Sequence, residues 1–254
     1  MVKPRLQKIE FRQRLYRRRY LVPNAVTLAN MFCGFLTCIY AASGRFEKAV
    51  IAIGLAILLD GLDGRVARRL NATSRFGVEF DSFSDLVSFG VAPAVLMYHW
   101  CFKAQADEFG VLVTFIYLLC AASRLARFNI SDPNLKSFTG LPTPGAAAAV
   151  VVAVNFAPAL SPSFWVTTIG ALLALSLAYL MVSRIEYLSV KTLRISGMNL
   201  WLRVGIGSLI ALIWYNNQFG LLLLGYGYAF SGPLVACYRK LFPKRDLMAK
   251  VDVA

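Results

Sequence analysis

Histidine and acidic residues are what this chain of 254 residues has least of: one His and 13 Asp plus Glu, against 27 Lys plus Arg. The single histidine, His99, stands near the far end of an apolar segment, away from the acidic residues that cluster elsewhere, and reads as interfacial rather than catalytic. Cysteine is also sparse. Cys33, Cys38, Cys101, Cys120 and Cys237 are odd in number, lie in apolar segments and form no CxxC pair, which excludes a disulfide framework and a zinc site. Charged residues make up only 16% of the chain and hydrophobic residues 58%, well outside the composition of soluble domains. The chain is expected to be an integral membrane protein.

Eight apolar stretches are present, at about residues 24–43, 47–64, 77–98, 110–126, 144–160, 164–183, 200–215 and 218–236. Most approach the roughly 20 residues a helix needs to cross the hydrocarbon core. The expected fold is therefore an all-α membrane bundle of about eight transmembrane helices, preceded by a basic juxtamembrane helix. The net charge of +14 invites a nucleic-acid reading, but its distribution points elsewhere. With eight crossings and an inside N-terminus, 24 of the 27 basic residues fall on one side, leaving Arg45, Lys48 and Lys103 on the other. The positive-inside rule then puts both termini in the cytoplasm and the protein in the cell membrane.

The first 20 residues are too charged for a signal peptide. Residues 1–22 read as a cytoplasmic basic amphipathic segment that lies on anionic lipid or only sets topology. Residues 23–238 form the transmembrane bundle, with a catalytic core at about 23–160, and residues 239–254 a cytoplasmic tail.

Against this apolar background, four carboxylates between residues 60 and 85 stand out. On a helix, Asp60, Asp63, Gly64 and Ala67 share one face, with Arg68 one position beyond. Gly77, Asp81 and Asp85 recur at i, i+4 and i+8 on the next helix, and the polar connector LNATSR makes the two an antiparallel hairpin whose acidic faces converge near the cytoplasmic surface. An ionisable group at membrane depth costs roughly 2.5–3.5 kcal/mol on insertion scales. Four together call for a hard cation with oxygen ligands, Mg²⁺ or a close relative. Small residues beside the carboxylates leave room for a ligand to approach the backbone. A metal-bound phosphate or diphosphate would also use Arg68.

The pattern Asp60-x2-Asp63-Gly64-x2-Ala67-Arg68-x8-Gly77-x3-Asp81-x3-Asp85 resembles, without a departure, the signature of the CDP-alcohol phosphotransferase family. The resemblance implies displacement of CMP from a CDP-linked lipid by an alcohol, with two divalent ions, Mg²⁺ or Mn²⁺, and a homodimer. Carried onto this chain, it makes Asp60, Asp63 and Asp81 metal ligands, and Asp85 the general base and a further ligand. Gly64, Ala67 and Gly77 fall in the nucleotide site, with Arg68 on a phosphate. Pro23, Asn24 and Thr27 resemble the family's nucleotide-contact region, Asn24 or Thr27 alternatively serving as a helix N-cap.

Two further stretches, SRLARFN and FTGLPTPGAAAA, resemble the branch of that family whose donor is CDP-diacylglycerol and whose acceptor is L-serine. The resemblance runs from about residue 20 to residue 150. Arg124 and Arg127 are expected to meet the acceptor carboxylate or to anchor on lipid phosphates. Gly140, Pro142 and Pro144 set the entry to the fifth helix, and Thr143 at its N-terminus faces an anion. Gly34, Gly54, Gly90, Gly205 and Gly207 read as helix-packing positions. A sister enzyme using glycerol 3-phosphate or an inositol phosphate is the alternative. A divalent-cation transporter is a remoter one, since residues 144–183 carry no acidic repeat of the cluster.

Overall fold

The computed structural model describes residues 4–70, 74–104, 107–130, 140–185 and 216–241, with side chains from residue 21 onward except those at 67, 68, 107, 217 and 235–241. Among the described residues the chain is all helix: α1 (Pro4–Ala42), α2 (Phe46–Arg69), α3 (Arg75–Asp85), α4 (Ala92–Met97), α5 (Asp107–Ile130), α6 (Thr143–Phe156), α7 (Phe164–Val182) and α8 (Asn217–Leu241). Four helical runs are long and apolar enough to cross a membrane: Leu21–Ala42, Arg75–Phe102, Glu108–Ile130 and Phe164–Val182. Their outward faces carry Leu28, Phe32, Phe35, Leu112, Phe115 and Leu172, all exposed, as lipid-facing residues are. The apolar stretch 200–215 and the tail 239–254 lie wholly or mostly outside the described residues, as do Gly205 and Gly207.

One long helix replaces the break expected near residue 23. α1 runs through Pro23, so Asn24 and Thr27 lie in its interior and neither is an N-cap. Thr27 Oγ1 instead donates to the Pro23 carbonyl at 3.1 Å, within its own helix.

Small residues let the helices approach. A Cβ on Gly34 of α1 would stand 2.7 Å from the Ser88 Cα, and one on Gly90 would press on Leu118 and Leu86 at 3.1 Å, so both serve packing as expected. Gly54 does not: nothing lies within 4 Å of its Cβ position among the described residues. The centre is filled by the alanine-rich α6, where Ala146, Ala147, Ala149, Val150 and Val154 are fully buried between α2 and α8.

The run from Arg75 to Phe102 is interrupted by π-helical turns at Leu86–Val91 and Tyr98–Phe102. The first has a chemical cause. Pro93 has no N–H, so in α-helical register the Phe89 carbonyl four residues earlier would find no partner. Buried Tyr117 of α5 supplies one, its hydroxyl donating to the Phe89 carbonyl at 3.2 Å. This widened turn begins at the residue after Asp85, and so helps set where that carboxylate stands.

Candidate active site

Three helices build the site, and each is placed by a polar contact. Ser74 caps α3, its Oγ accepting from the Gly77 N–H at 2.9 Å. The hydroxyls of Ser84 in α3 and Ser88 in the π-helical turn after it donate to the backbone carbonyls of Thr27 and Asn30 on α1, each at 3.0 Å. In an apolar surrounding these bonds fix the axial register of the two helices, because the alternative is a buried hydroxyl with no partner. α1 and α2 pack along their length, and Thr27 Oγ1 comes within 3.5 Å of Asp63 Oδ2.

The carboxylates converge as their spacing predicts. One oxygen each from Asp60, Asp63 and Asp81 lies within 4.8 Å of the other two, Asp63 being only 5% exposed. The Asp63 carboxyl group meets that of Asp81, and the Asp85 group, one turn deeper on α3, meets that of Asp60. Asp63 Oδ1 also accepts from the Gly64 N–H. Buried oxygens of Asp81 and Asp85 have no hydrogen-bond partner among the described residues. Crowded acceptor oxygens with open lone pairs suit a hard divalent cation, and Asp60, Asp63 and Asp81 could hold one.

Room for a substrate lies beside them. Gly61 and Gly64 are exposed, and a Cβ on either would meet nothing within 4 Å among the described residues. Gly77 is closer to its neighbours, with Ser74 Oγ at 3.1 Å and Asn24 Oδ1 at 3.4 Å from its Cβ position, which brings Asn24 to the mouth of the hairpin. The side chains of Ala67 and Arg68 lie outside the described residues, though both are in α2.

The second group of expected residues gathers at the ends of α5, α6 and α7 instead. Gly140 has φ of +82°, which its lack of a Cβ permits, and Arg124 Nη1 lies 3.1 Å from where that Cβ would be. Leu141 N–H donates to the Leu180 carbonyl at 2.9 Å and Arg127 Nη1 to the Val182 carbonyl at 3.2 Å, at the C-terminus of α7. Pro142 and Pro144 flank Thr143 at the start of α6, and Thr143 is 3% exposed. His99 bonds the Val95 carbonyl at 3.1 Å and touches the Tyr98 ring, a local role at a distance from the carboxylates.

Fold and cluster together define a class: a membrane protein, all-helical among the described residues, with a partly buried carboxylate site fit for a divalent cation. Residues 20–182 match the family model described as CDP-alcohol phosphatidyltransferase, and the chain belongs to that family. It is 45% identical over 139 residues to the CDP-diacylglycerol–serine O-phosphatidyltransferase of Helicobacter pylori strain J99, covering 53% of this chain and 57% of that protein. The Bacillus subtilis protein of the same name is 36% identical over 167 residues, 65% of this chain and 89% of its own length. The archaetidylserine synthase of Methanothermobacter thermautotrophicus is 36% identical over 170 residues, 65% of this chain and 69% of its own. The matched region thus spans little more than half of the Helicobacter relative.

Proposed function

We propose that the protein transfers the phosphatidyl group from CDP-diacylglycerol to L-serine, giving phosphatidylserine and CMP. The observation that carries this reading is the convergence of Asp60, Asp63 and Asp81 beside Asp85 in a chain similar to bacterial serine O-phosphatidyltransferases. Asp85 accepts the proton of the serine hydroxyl as its oxygen attacks the phosphatidyl phosphorus. The phosphorus–oxygen bond to CMP breaks and CMP leaves with that electron pair, so the protein forms no covalent intermediate.

Two divalent ions, Mg²⁺ or Mn²⁺, held by Asp60, Asp63, Asp81 and Asp85, would polarise the diphosphate and neutralise the leaving phosphate. Gly64, Ala67 and Gly77 leave space for the cytidine, with Asn24 and Thr27 on its α1 side and Arg68 on a phosphate oxygen. Arg124, Arg127 and Thr143 guide the serine carboxylate toward Asp85; pairing Ser82 with Asn129 and Phe89 with Tyr117 puts Arg124 near the level of Asp85 along α5. The bundle has about eight crossings, with residues 1–22 and 239–254 cytoplasmic and the site near that face, and works as a homodimer in the cell membrane.

The test is CMP release by the purified protein from CDP-diacylglycerol, with L-serine, glycerol 3-phosphate and inositol phosphate offered separately. Release with serine alone is expected. Release with a phosphorylated acceptor in its place would refute the serine assignment, and release with none would refute the transfer.

A further inference from the structure

Asn30 of α1 is completely buried, and neither its Oδ1 nor its Nδ2 has a hydrogen-bond partner among the described residues. A leucine would fill the same space in an apolar helix without that desolvation penalty. The residue's depth follows from contacts on both sides. α1 runs antiparallel to α2: Thr27 faces Asp63, and Thr37 Oγ1 lies 3.4 Å from the Ala49 carbonyl. Asn30, three residues deeper than Thr27, is therefore level with Asp60, three residues deeper than Asp63. Along α3, Asn24 adjoins Gly77, the Thr27 carbonyl meets Ser84 and the Asn30 carbonyl meets Ser88, which puts Asn30 level with the turn that carries Asp85. Thr27, Asn30 and Gly34 share one face of α1, the face Ser84 and Ser88 engage. Asp85 Oδ1, at the same depth, is likewise without a partner.

Polar atoms without a partner among the described residues, both of the Asn30 carboxamide and one oxygen of Asp85, thus stand at the same depth on neighbouring helices at the deep end of the carboxylate cleft. Resting on the serine-transfer reading above, we propose that Asn30 binds the acceptor and selects for its zwitterion. With the serine hydroxyl at Asp85, its α-ammonium and carboxylate are on the adjacent carbon. A carboxamide answers both, Oδ1 accepting from the ammonium and Nδ2 donating to a carboxylate oxygen. The surrounding aspartates would hold the cation, and Asn30 adds recognition with no further charge. A phosphorylated acceptor would call for a cation at this position instead.

The experiment replaces Asn30 with leucine, of similar size, and with alanine in case leucine disturbs the packing. CMP release is measured against L-serine and against CDP-diacylglycerol, and labelled L-serine binding is measured by equilibrium dialysis with CMP and Mn²⁺ present. Asn30→Leu is expected to raise the KM and Kd for serine by about tenfold or more, the loss of a hydrogen bond to a charged group, with the KM for CDP-diacylglycerol within about twofold. An unchanged serine KM and Kd would overturn the proposal, as would equal rises for both substrates in both variants. Wild-type protein that turns over glycerol 3-phosphate and not serine would refute the underlying activity, a result read before any variant is made.

Discussion

The two ends of the bundle differ in how far their buried polar groups are answered. At the end holding Tyr98–Phe102, polar side chains are satisfied locally: Trp100 Nε1 donates to the Ala157 carbonyl at 2.8 Å, Thr114 Oγ1 to Gly110 at 2.7 Å, and His99 is bonded to Val95. At the carboxylate end Ser84 and Ser88 are answered by α1 carbonyls, but buried atoms of Asn30, Asp81 and Asp85 have no partner among the described residues; at the other end Thr167 Oγ1 on α7, three residues before Gly170, is the one such atom. Some glycines add to the contrast. Gly170 is filled by Cys101, its Cβ position 2.6 Å from that Sγ, whereas Gly61 and Gly64 face open space among the described residues. The carboxylate end is where open acceptor atoms and open space beside glycine coincide.

Substitutions can break or sharpen that contrast. The largest effect is expected from Asp85→Asn, which removes the proton acceptor: CMP release should fall by roughly 10²–10⁴-fold while nucleotide binding persists, and retained turnover would remove Asp85 from that role. Asp63→Asn should weaken activation by divalent ion and CDP-diacylglycerol binding together, on the order of 10–100-fold, read from Mn²⁺ titrations of the rate.

A glycine pair then separates packing from binding. Gly34→Leu forces side-chain atoms against the Ser88 backbone in the π-helical turn and should lower stability by about 1–3 kcal/mol, whereas Gly64→Leu should melt as the parent does and raise the KM for CDP-diacylglycerol. Tyr117→Phe leaves the Phe89 carbonyl unanswered and should cost about 1–3 kcal/mol in thermal unfolding, with a smaller loss of kcat. His99→Gln, at the opposite end, should change stability by no more than about 0.5 kcal/mol and leave turnover unaltered.

How much of this was legible in the sequence depended on whether the signal was periodic. The i, i+3 and i, i+4 spacings of the aspartates and the charges stranded in apolar helix were enough to place Asp60, Asp63 and Asp81 together, because helix geometry converts spacing directly into a face. The start of α1 was misplaced: Pro23 suggested a boundary, but the basic segment before it continues as helix through the proline, taking Asn24 and Thr27 out of any capping role. The π-helical turn after Asp85 is bonded from another helix, Tyr117 donating to the Phe89 carbonyl, and such a contact leaves no local mark in the sequence. Asn30 was passed over inside an apolar run, although its place three residues after Thr27 on one face was a usable cue. Gly54 was assigned to packing by composition alone, and nothing among the described residues lies within 4 Å of its Cβ position. The surroundings of Arg124 and Arg127, a positive-φ glycine and the end of α7, likewise required tertiary structure.

The central claim is that the aspartate hairpin holds a divalent cation and uses it to move a phosphatidyl group onto serine. It is tested most directly by following CMP release from CDP-diacylglycerol and L-serine while a chelator is added and Mn²⁺ then restored. The account predicts release that stops with the chelator, returns with the metal and requires serine throughout. Release that persists in the chelator, or that proceeds equally well without serine, would contradict it.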